Sequence, residues 1–276
     1  MIGGPMSERR PNSRNRQQTL HRLVMQHGQV TAADLADRLG ISLATVRRDL
    51  ASLERRGLVD RTWGGARVRS PIRYLEDFSR AADDHAEAKR QIAAQAAMMV
   101  EVDMVVGLSG GTTCTELARW LRGAPITVVT NAINVATELY NHGRTKVIVT
   151  GGALNAYSYE LVGEMASYSL QEYRLDLCFL GSSGITTDFG FSMRDHPEAA
   201  MARQFKAISE RTFVVADHSK VGRRTLARFA PLGDVDGLIA DDGLPAQERE
   251  ALAEAGLQVL LASRLPPLET KGESPS

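Results

Sequence analysis

The apolar residues near the start of the chain recur at helical spacing in two short runs. Thr31 is expected to begin a helix, because Asp34 lies three residues on at the spacing of a capping box, and Gly40 ends it. Ser42 is expected to cap a second helix. The apolar face of that second helix consists of Leu43, Val46, Leu50 and Leu53. The pattern predicts two helices that pack on one core and are joined by a tight turn.

Shorter apolar segments flank these two helices. Residues 14–27 carry apolar positions at helical spacing and predict a supporting helix, and Val30 is expected to begin a short strand. Residues 58–62 and 67–68 predict two strands of a hairpin. The turn between them is expected to use Trp63, Gly64 and Gly65. Residues 13–69, which we call the head, therefore predict a winged helix-turn-helix domain.

The second helix of the head is polar on the side opposite its apolar face. At about 100° per residue that side and its flanks hold Ala44, Thr45, Arg47, Arg48, Ser52 and Arg55. In the major groove of DNA an arginine can bond the O6 and N7 atoms of guanine, and short side chains can contact the methyl group of thymine. We interpret Arg48 as a base contact and Arg47 as a phosphate contact.

Double-stranded DNA is the partner that this arrangement favours. Two capped helices and a hairpin also occur in small domains that bind no nucleic acid, and arginines on a helix usually lie on a solvated face. Their order, a helix, a turn, a helix centred on RRDL and a basic hairpin, favours DNA over those alternatives. The predicted DNA contacts are Ser42, Ala44, Thr45, Arg47, Arg48, Ser52, Arg61, Trp63, Gly64 and Gly65.

From residue 86 the pattern changes to short apolar runs that alternate with helical segments. The predicted strands are 104–108, 126–130, 146–150, 175–180, 212–216, 237–240 and 258–261. The predicted helices are 86–99, 113–122, 132–142, 160–173, 195–209 and 245–255. This alternation predicts an α/β domain with a parallel sheet whose strands are buried on both faces. We call residues 86–264 the body.

Composition adds the charge distribution to this two-domain picture. The 276 residues are formally neutral, yet residues 1–69 contain 13 arginines and six carboxylates, a net charge of +7, which leaves −7 on the remainder. A basic head is drawn to phosphate whereas an acidic body is repelled by it. Residues 1–12 and 265–276 are expected to be a disordered lead and tail, and residues 70–85 a linker.

The same composition argues against several other classes of protein. No apolar run approaches the roughly 20 residues needed to span a bilayer, and the N-terminal residues lack the apolar core of a signal peptide, so we expect a cytoplasmic protein without a membrane partner. Cys114 and Cys178 are far apart and neither has a second cysteine at ligand spacing. We therefore predict no metal site, disulfide framework or cofactor.

Small and polar residues follow several predicted strands of the body. Residues 109–113 read SGGTT, and such glycines allow backbone N–H groups to approach an anion at the start of a helix. Asn131, residues 181–184 and Lys220 follow other strands. Each loop alone most often only turns the chain, but their convergence at one edge of a parallel sheet favours a pocket for a small anion. Asp195 and Glu198 are weaker candidates, since Asp195 also fits a helix cap.

Both halves resemble one known family. The head segment LADRLGISLATVRRDLASLERRGLVDRTWGGA is similar to the N-terminal domain of the DeoR family of bacterial transcription regulators. The body segments GGTTCTELARWL, ITVVTNAINVATEL, VIVTGGALN, LVGEMA, FLGSSGI and VVADHSKVGR resemble its sensor domain. The resemblance implies a fold related to ribose-5-phosphate isomerase, a phosphorylated sugar as effector, a homo-oligomer, and repression of a carbohydrate operon.

The resemblance also assigns residues of the body to effector binding, and it adds Glu87 and Lys89. The implied effector contacts are Lys89, Ser109, Gly110, Gly111, Thr112, Thr113, Asn131, Gly181, Ser182, Ser183, Gly184 and Lys220. The chain departs from the family pattern in two loops. Family members often have Asp-Ala where this chain has Ser109-Gly110, and Ala-Asp or Ala-Asn where it has Ser182-Ser183. The identity of the effector therefore stays open.

Three functions are compatible with these observations. The first is a regulator that binds operator DNA and responds to a phosphorylated sugar. The second is a sugar-phosphate isomerase with an attached head, which would need a carboxylate base that Ser182 and Ser183 do not supply. The third is a constitutive DNA-binding protein whose body only forms oligomers. We favour the regulator and predict no catalytic residue.

Overall fold

The computed structural model describes residues 13–27, 29–56, 58–62, 64–68 and 81–262. The chain forms two compact units, Met1–Arg73 and Tyr74–Ser276, and each is described by itself. The first unit contains the head and the second contains the body. Among the described residues, no helix combines the length and the apolar character that crossing a bilayer requires.

The head contains three helices and a small antiparallel sheet. Its elements are α1 (Ser13–His27), β1 (Gln29–Thr31), α2 (Ala32–Leu39), α3 (Leu43–Arg55), β2 (Val59–Thr62) and β3 (Gly65–Val68). The strand order is β1-β3-β2, and Val30 lies opposite Ala66 of the hairpin, so the short strand predicted at Val30 is confirmed. The winged helix-turn-helix prediction is confirmed with these bounds.

The predicted helix ends of the head are confirmed, but the apolar face of α3 needs one correction. The Thr31 hydroxyl accepts a hydrogen bond from the Asp34 amide, and Gly40 ends α2 with a left-handed backbone, φ 61°. Val46, Leu50 and Leu53 are buried as predicted. Leu43 is 37% exposed, so its assignment to the core was wrong. It occupies the first position of the helix, at the margin of the buried face, where the core no longer covers it.

The body is built on a seven-stranded parallel sheet. Its first half contains α4 (Ala86–Ala97), β4 (Val105–Leu108), α5 (Thr112–Trp120), β5 (Thr127–Thr130), α6 (Ile133–Leu139), β6 (Lys146–Val149), β7 (Ala153–Asn155), β8 (Glu160–Val162) and α7 (Glu164–Leu170). Its second half contains β9 (Leu175–Gly181), β10 (Gly184–Thr186), β11 (Gly190–Met193), α8 (His196–Ala207), β12 (Ser209–Val215), β13 (Ala227–Ala230), β14 (Gly237–Ala240), α9 (Ala246–Glu254) and β15 (Val259–Leu261). Short 3-10 turns lie at His218–Lys220 and Leu232–Asp234.

The strand order of the large sheet is β15-β14-β12-β9-β4-β5-β6. The chain therefore runs outward from β4 to β6 and later outward from β9 to β15, so the direction reverses between β4 and β9. Parallel sheets bind ligands at such a switch point, beyond the carboxyl ends of the strands. All seven predicted strands of the sheet are confirmed, and the topology directs attention to the loops that follow β4 and β9.

Side chains alternate along the central strand β9 and divide the core into two layers. Cys178 and Leu180 pack with Phe205 on one face, whereas Leu177 and Phe179 pack with Leu117 on the other. The edge strand β6 departs from the expectation that every strand is buried on both faces, because the described residues place a strand on only one side of it and Val149 is 44% exposed. The central strands fit that expectation.

Two smaller sheets of the body were not predicted. Strands β7 and β8 form an antiparallel hairpin, and β10, β11 and β13 form a second antiparallel sheet. The predicted helix over residues 160–173 was wrong at its start, because residues 160–162 are β8 and the helix begins at Glu164. The apolar spacing there fits both a strand and a helix, and pairing with β7 decides in favour of the strand.

Candidate functional site

The side of α3 that is predicted to contact DNA is largely solvent-exposed. Ala44, Arg47 and Arg48 are exposed, and Ser52 is half-buried. Ser42 and Thr45 are bonded to each other: the Ser42 hydroxyl accepts from the Thr45 amide at 3.3 Å and lies 2.8 Å from the Thr45 hydroxyl. These two hydroxyls therefore form the helix cap, and the exposed surface of α3 is basic.

A buried carboxylate on the opposite side of α3 fixes the helix against α1. Asp49 is 4% exposed, and its Oδ2 lies 2.6 Å from Nε of Arg16. Its Oδ1 accepts a hydrogen bond from the side-chain Nε2 of Gln17 at 3.2 Å. Arg16 turns towards the buried Asp49. This ion pair sets the position of the exposed arginines on α3.

A groove of about 390 Å³ lies between α3, the start of α2 and the hairpin. Its lining consists of Ala32, Arg47, Leu50, Arg61, Gly64 and Gly65. The Ala32 amide donates to the Gly64 carbonyl at 2.7 Å and ties the hairpin turn to α2. A side chain at position 65 would have its Cβ 2.1 Å from the Val30 carbonyl oxygen, so only glycine fits there. Trp63 lies outside the described residues.

The groove brings two exposed guanidinium groups together from different elements. Arg47 comes from α3 and Arg61 from β2, and both are exposed. Side chains of this type, held at the mouth of a concave surface, fit the phosphate groups of a nucleic acid backbone. The arrangement agrees with the interpretation of Arg47 as a phosphate contact.

In the body, the loop after β4 forms the N-terminal end of α5. Gly111 precedes the helix with φ 99°, a left-handed value that favours glycine. The first amides of a helix have no intrahelical acceptor, and the helix dipole places partial positive charge there. Gly110, Gly111, Thr112 and Thr113 all belong to this turn, so the geometry suits an anion.

Ser109 connects this loop to the loop after β9. Its hydroxyl accepts from the Gly181 amide at 3.0 Å, and its own amide donates to the Phe179 carbonyl at 3.2 Å. The two loops at the topological switch point are thus in direct contact, as the sequence predicted for residues 109–113 and 181–184. Ser109 itself is 3% exposed and acts as a structural tie.

Ser182 and Ser183 are also engaged with the backbone. The Ser182 hydroxyl lies 2.9 Å from the Gly184 carbonyl oxygen and 3.2 Å from that of Ser192. The Ser183 amide donates to the Ser192 carbonyl at 3.0 Å. These contacts hold the start of β10 against β11. In this structure the side chain of Ser182 serves the hairpin, and its proposed contact with an effector remains a prediction.

Asn131 follows β5 and meets Glu160 of β8, a residue that the sequence analysis did not assign to the site. Asn131 is fully buried, and its Nδ2 donates to Oε2 of Glu160 at 3.0 Å and to the Leu161 carbonyl at 3.1 Å. Glu160 is 6% exposed and lies against Gly110, where an added Cβ would be 2.4 Å from its Oε1. A glutamate that opens the apolar run Glu160–Val162 was the signal available in the sequence, and it was read as part of a helix.

Glu160 belongs to a group of acidic side chains. Its partner across the β7–β8 hairpin is Asn155, whose Nδ2 donates to Asp195 at 3.0 Å and to Glu198 at 3.2 Å. Burial and the Glu198 carboxylate raise the pKa of Glu160 to about 8. Burial also raises the pKa of Glu198. Asp195 caps α8 through the Glu198 amide, as the alternative interpretation of that residue expected.

The loop after β12 contributes Lys220. Its Nζ lies 3.7 Å from Oδ2 of Asp217, a fully buried carboxylate. Burial opposes ionisation of Asp217, but hydrogen bonds from Ser219 and the Lys220 and Lys89 cations hold its pKa below the usual value. Asp217 thus stays ionised and fixes the Lys220 ammonium beside the edge of the sheet. Lys220 itself is half-buried.

Lys89 lies near Asp217 but is bonded to the backbone, and its proposed contact with an effector remains a prediction. It is 4% exposed, and its ammonium donates to the carbonyl oxygens of Ala81 and Asp84. Burial lowers the pKa of Lys89, while the Asp217 carboxylate opposes that shift. Next to it, His218 bonds Asp241 through Nδ1 at 2.6 Å and meets the ring of His85 at 4.8 Å. These contacts tie residues 81–89 to the loop after β12.

Neither cysteine forms part of a reactive site. Cys114 and Cys178 are free and buried, and burial raises the pKa of the Cys114 thiol to about 12. Within the described ranges, no group of three or more His, Cys, Asp or Glu side chains could hold a metal ion. The body offers the amides at the start of α5 and the Lys220 ammonium, which together can bind a polar anion.

Comparisons with known proteins cover both units. The description "DeoR-like helix-turn-helix domain" matches residues 16–71, and "DeoR C terminal sensor domain" matches residues 84–242. The HTH-type transcriptional regulator GlpR of Haloferax volcanii is 36% identical over 82% of this chain and 89% of its own length. The L-fucose operon activator of Haemophilus influenzae is 32% identical over 80% and 89%. The HTH-type transcriptional repressor GlcR of Bacillus subtilis is 28% identical over 87% and 93%.

Solved structures give a weaker likeness. Ribose 5-phosphate isomerase A from Neisseria gonorrhoeae is 18% identical with a TM-score of 0.37, over 49% of this chain and 53% of the isomerase. At these values the likeness carries no argument about the site. The family models and relatives do, because one model covers more than half of the chain and relatives above 30% identity span most of it. The chain belongs to the DeoR family and is a DNA-binding transcriptional regulator, not an enzyme.

Proposed function

We propose that this regulator binds the operator of a carbohydrate-metabolism operon as a repressor and that a phosphorylated sugar, bound in the body, controls its affinity for DNA. The observation that carries the effector proposal is the meeting of the β4 and β9 loops at the topological switch point, where the N-terminal amides of α5 begin. Phosphate groups bind at such helix ends because amides and dipole act together. The domain limits that accompany this proposal are 13–69 for the head and 86–264 for the body.

The head would contact DNA through two groups of side chains. Arg48 and Ala44 lie near the centre of the exposed side of α3 and would face base edges in the major groove. Arg47 and Arg61, which share the groove beside the hairpin, would contact phosphates. Trp63 is retained as a proposed contact of the hairpin, although it lies outside the described residues. This division assigns sequence preference to Arg48 and general affinity to Arg47 and Arg61.

The effector would bind with its phosphate at Gly110–Thr113 and its sugar towards Asn131. Lys220, fixed by Asp217, would add a charge-assisted hydrogen bond. The Oδ1 atom of Asn131 is buried and has no hydrogen-bond partner within the described residues, so it can accept from a sugar hydroxyl. The amides at Gly181–Gly184 line the other side of the same edge.

Control of DNA binding requires more than one head, so we also propose a homo-oligomer. Five exposed apolar side chains lie in the segment of the chain that runs from β6 to α7: Val149, Leu154, Tyr157, Met165 and Tyr168. Apolar surface of this kind supports self-association. An effector that prefers one arrangement of the oligomer changes the spacing of the heads, and it shifts DNA affinity only by its differential binding to the two arrangements.

The relatives differ in the sense of regulation. GlcR is named a repressor and the Haemophilus influenzae protein an activator. Repression is proposed because a head that occupies an operator can block transcription without further contacts. A protein that acts on chromosomal DNA in bacteria is expected in the cytoplasm.

Lys220→Ala tests the effector site. Loss of one charge-assisted hydrogen bond to a phosphate is worth about 1.5 to 3 kcal/mol, so the response to effector should weaken at least roughly tenfold while DNA binding without effector is unchanged. A thermal-shift screen of phosphorylated sugars selects the ligand. Gel shifts on the DNA fragment upstream of the gene that encodes this protein then measure the response. Lys206→Ala is the matched control, since Lys206 pairs with Asp234 at the surface. An undiminished response in Lys220→Ala contradicts the assignment.

Two further outcomes separate the alternatives. If no phosphorylated sugar changes binding to the upstream fragment, the protein is a constitutive DNA-binding protein. Turnover of ribose 5-phosphate or a related sugar would contradict the assignment of the chain as a regulator without enzymatic activity. That assay is informative because Glu160, Asp195 and Glu198 bring carboxylates near the site from other elements, so the lack of acids at Ser182 and Ser183 does not by itself exclude a base.

A further inference from the structure

The carboxyl group of Glu160 lies at the proposed anion site, where its negative charge would repel a bound anion. Its Oε1 lies against the backbone of Gly110, so closely that any side chain at position 110 would collide with it. Its Oε2 accepts from Nδ2 of Asn131 at 3.0 Å. The carboxyl group is therefore held at the first residue of the loop whose amides would receive a phosphate.

Hydrogen bonds fix the backbone on both sides of Glu160. Strand β8 pairs with β7, and the Leu161 amide donates to the Asn131 carbonyl at 2.7 Å. The Ile133 amide likewise donates to the Tyr159 carbonyl at 2.9 Å. These bonds on both sides of Glu160 fix its Cα beside the end of β5. The hydrogen bond from Nδ2 of Asn131 then holds the carboxyl group itself beside Gly110.

The charged groups that face Glu160 within the described residues do not offset its charge. Glu198 and Asp195 lie on or beside the first turn of α8, and both disfavour a further negative charge. Cys114 on α5 is also close and remains a neutral thiol. Arg194 acts on Glu198. Asn131 and the amide of Gly110 favour the ionised form, but burial outweighs them and holds the pKa of Glu160 near 8.

An ionised Glu160 and a bound phosphate would therefore compete for the same amides in a site with little water. A protonated Glu160 removes that repulsion and adds a donor, because a neutral carboxylic acid gives one O–H while its other oxygen still accepts. Oε2 already accepts from Asn131, so the proton belongs on Oε1. From there it can point to an oxygen of the bound anion.

We propose that Glu160 is a specificity-determining residue of the effector site. The loop Gly110–Thr113 binds an anion only when Glu160 is neutral, and Glu160 then donates a hydrogen bond to the anion from Oε1. This inference rests on the proposed effector function. It assigns the acid to ligand recognition and couples effector binding to the uptake of one proton. A ligand with an ammonium group at that position would instead require the ionised acid.

Isothermal titration calorimetry on the full-length protein tests the proposal with two probes, inorganic sulfate and ribose 5-phosphate. The charges of both probes change little between about pH 7 and pH 9.5, because phosphomonoesters lose their second proton near pH 6. The affinity for both should fall roughly tenfold for each pH unit above about 8, as an ionised acid must first be protonated. Repeating the titration in buffers of different ionisation enthalpy should show uptake of about one proton per anion at about pH 9 and almost none near pH 7.

Glu160→Gln keeps the size of the side chain and cannot ionise. Its affinity should be independent of pH and its proton uptake absent, whereas Glu164→Gln, at an exposed position four residues on, should behave like the natural protein. The pH series on the unaltered protein needs no variant, so the test stands even if Glu160→Gln fails to fold.

Three outcomes overturn the proposal, and they are distinguishable. Equal affinity at both pH values contradicts the role of Glu160 but leaves the anion site in place. Tighter binding at higher pH assigns the ionised acid to the ligand. Failure of both probes to bind at either pH contradicts the proposed anion site itself, and the inference falls with it.

Discussion

In the head the side chains proposed to contact DNA are exposed, whereas in the body the polar groups around the proposed effector site are mostly buried. Ala44, Arg47 and Arg48 are exposed on one side of α3. Asn131 and Glu160 are 0% and 6% exposed. DNA is a large polyanion that brings its own surface, so exposed cations on a rigid helix suffice to bind it. A small molecule must be enclosed, and its site needs buried groups with defined partners.

This difference has an energetic counterpart. An exposed arginine costs the folded state little, so α3 can carry several and still pack well on its other side. A buried acid such as Glu160 destabilises the fold whenever it ionises, because no cation accompanies it. The body therefore accepts a loss of stability at its site, and the head does not. Four predictions test this comparison.

The largest expected effect concerns the pH dependence of stability in the body. The pKa of Glu160 is raised from 4.5 to about 8 in the folded state, so the folded state holds a proton that the unfolded chain has lost. The resulting stability is fully present below about pH 4.5 and declines as pH rises to about 8, by up to about 1.4 kcal/mol per pH unit. Chemical denaturation at several pH values should show this decline, and Glu160→Gln should lack it. An equal decline in Glu160→Gln would assign it to other groups.

The second effect concerns the ion pair that positions α3. Asp49→Ala removes a buried carboxylate that bonds Arg16 and Gln17. Breaking a buried ion pair lowers the free energy of unfolding by about 3 kcal/mol, and by somewhat less here because water can solvate the half-buried Arg16. Unfolding of the head, followed by circular dichroism or by hydrogen exchange at α3, should report the loss. Asp37→Ala, at an exposed position on α2, is the control and should change stability little. Similar losses in both variants would mean that the pair does not hold the helix.

The third effect separates the two exposed arginines of α3. Arg48→Ala should cost about 1 to 3 kcal/mol on operator DNA and relax preference at one base pair, because a base contact is lost. Arg47→Ala should weaken specific and random DNA alike and lower the salt dependence of binding by about one counterion. Binding to operator variants at several salt concentrations distinguishes the two. Equal losses of both variants on both kinds of DNA would remove the distinction.

The smallest effect concerns the cap of α3. Ser42→Ala removes the acceptor for the Thr45 amide and should destabilise the head by about 1 kcal/mol. DNA affinity measured well below the melting temperature should change little, since the two hydroxyls are bonded to each other. Ser42→Asp, which restores a capping acceptor, is the control for stability. A large loss of DNA affinity without loss of stability in Ser42→Ala would instead make Ser42 a direct DNA contact.

The sequence predicted most of the head because its signals are local. Thr31, Gly40 and Ser42 end or begin helices through contacts within four residues, and the structure confirms each of them. Asp49 was missed as a buried partner because Arg16 lies 33 residues away. Leu43 was assigned to the core because its apolar character was read without knowledge of where the core ends.

In the body, the strands of the large sheet were predictable and the site was predictable only in part. Residues 109–113 and 181–184 carried a recognisable small-residue pattern, and the sheet order brings them together. Glu160 could not be placed, because nothing near it in the sequence states that β8 pairs with β7 and lies beside Asn131. Lys89 matched the family pattern, yet its ammonium bonds to the backbone at Ala81 and Asp84.

The sequence by itself determined the helices of the head, the strands of the central sheet, the charge difference between the two halves and the family. Each of these depends on side-chain pattern over a few residues, and the physics of helix caps, amphipathic faces and buried strands acts at that range. Tertiary structure alone decided which loops meet at the switch point and that Glu160 lies against Gly110. Contacts between residues 29 or 50 positions apart depend on the order and register of strands, which local patterns do not encode.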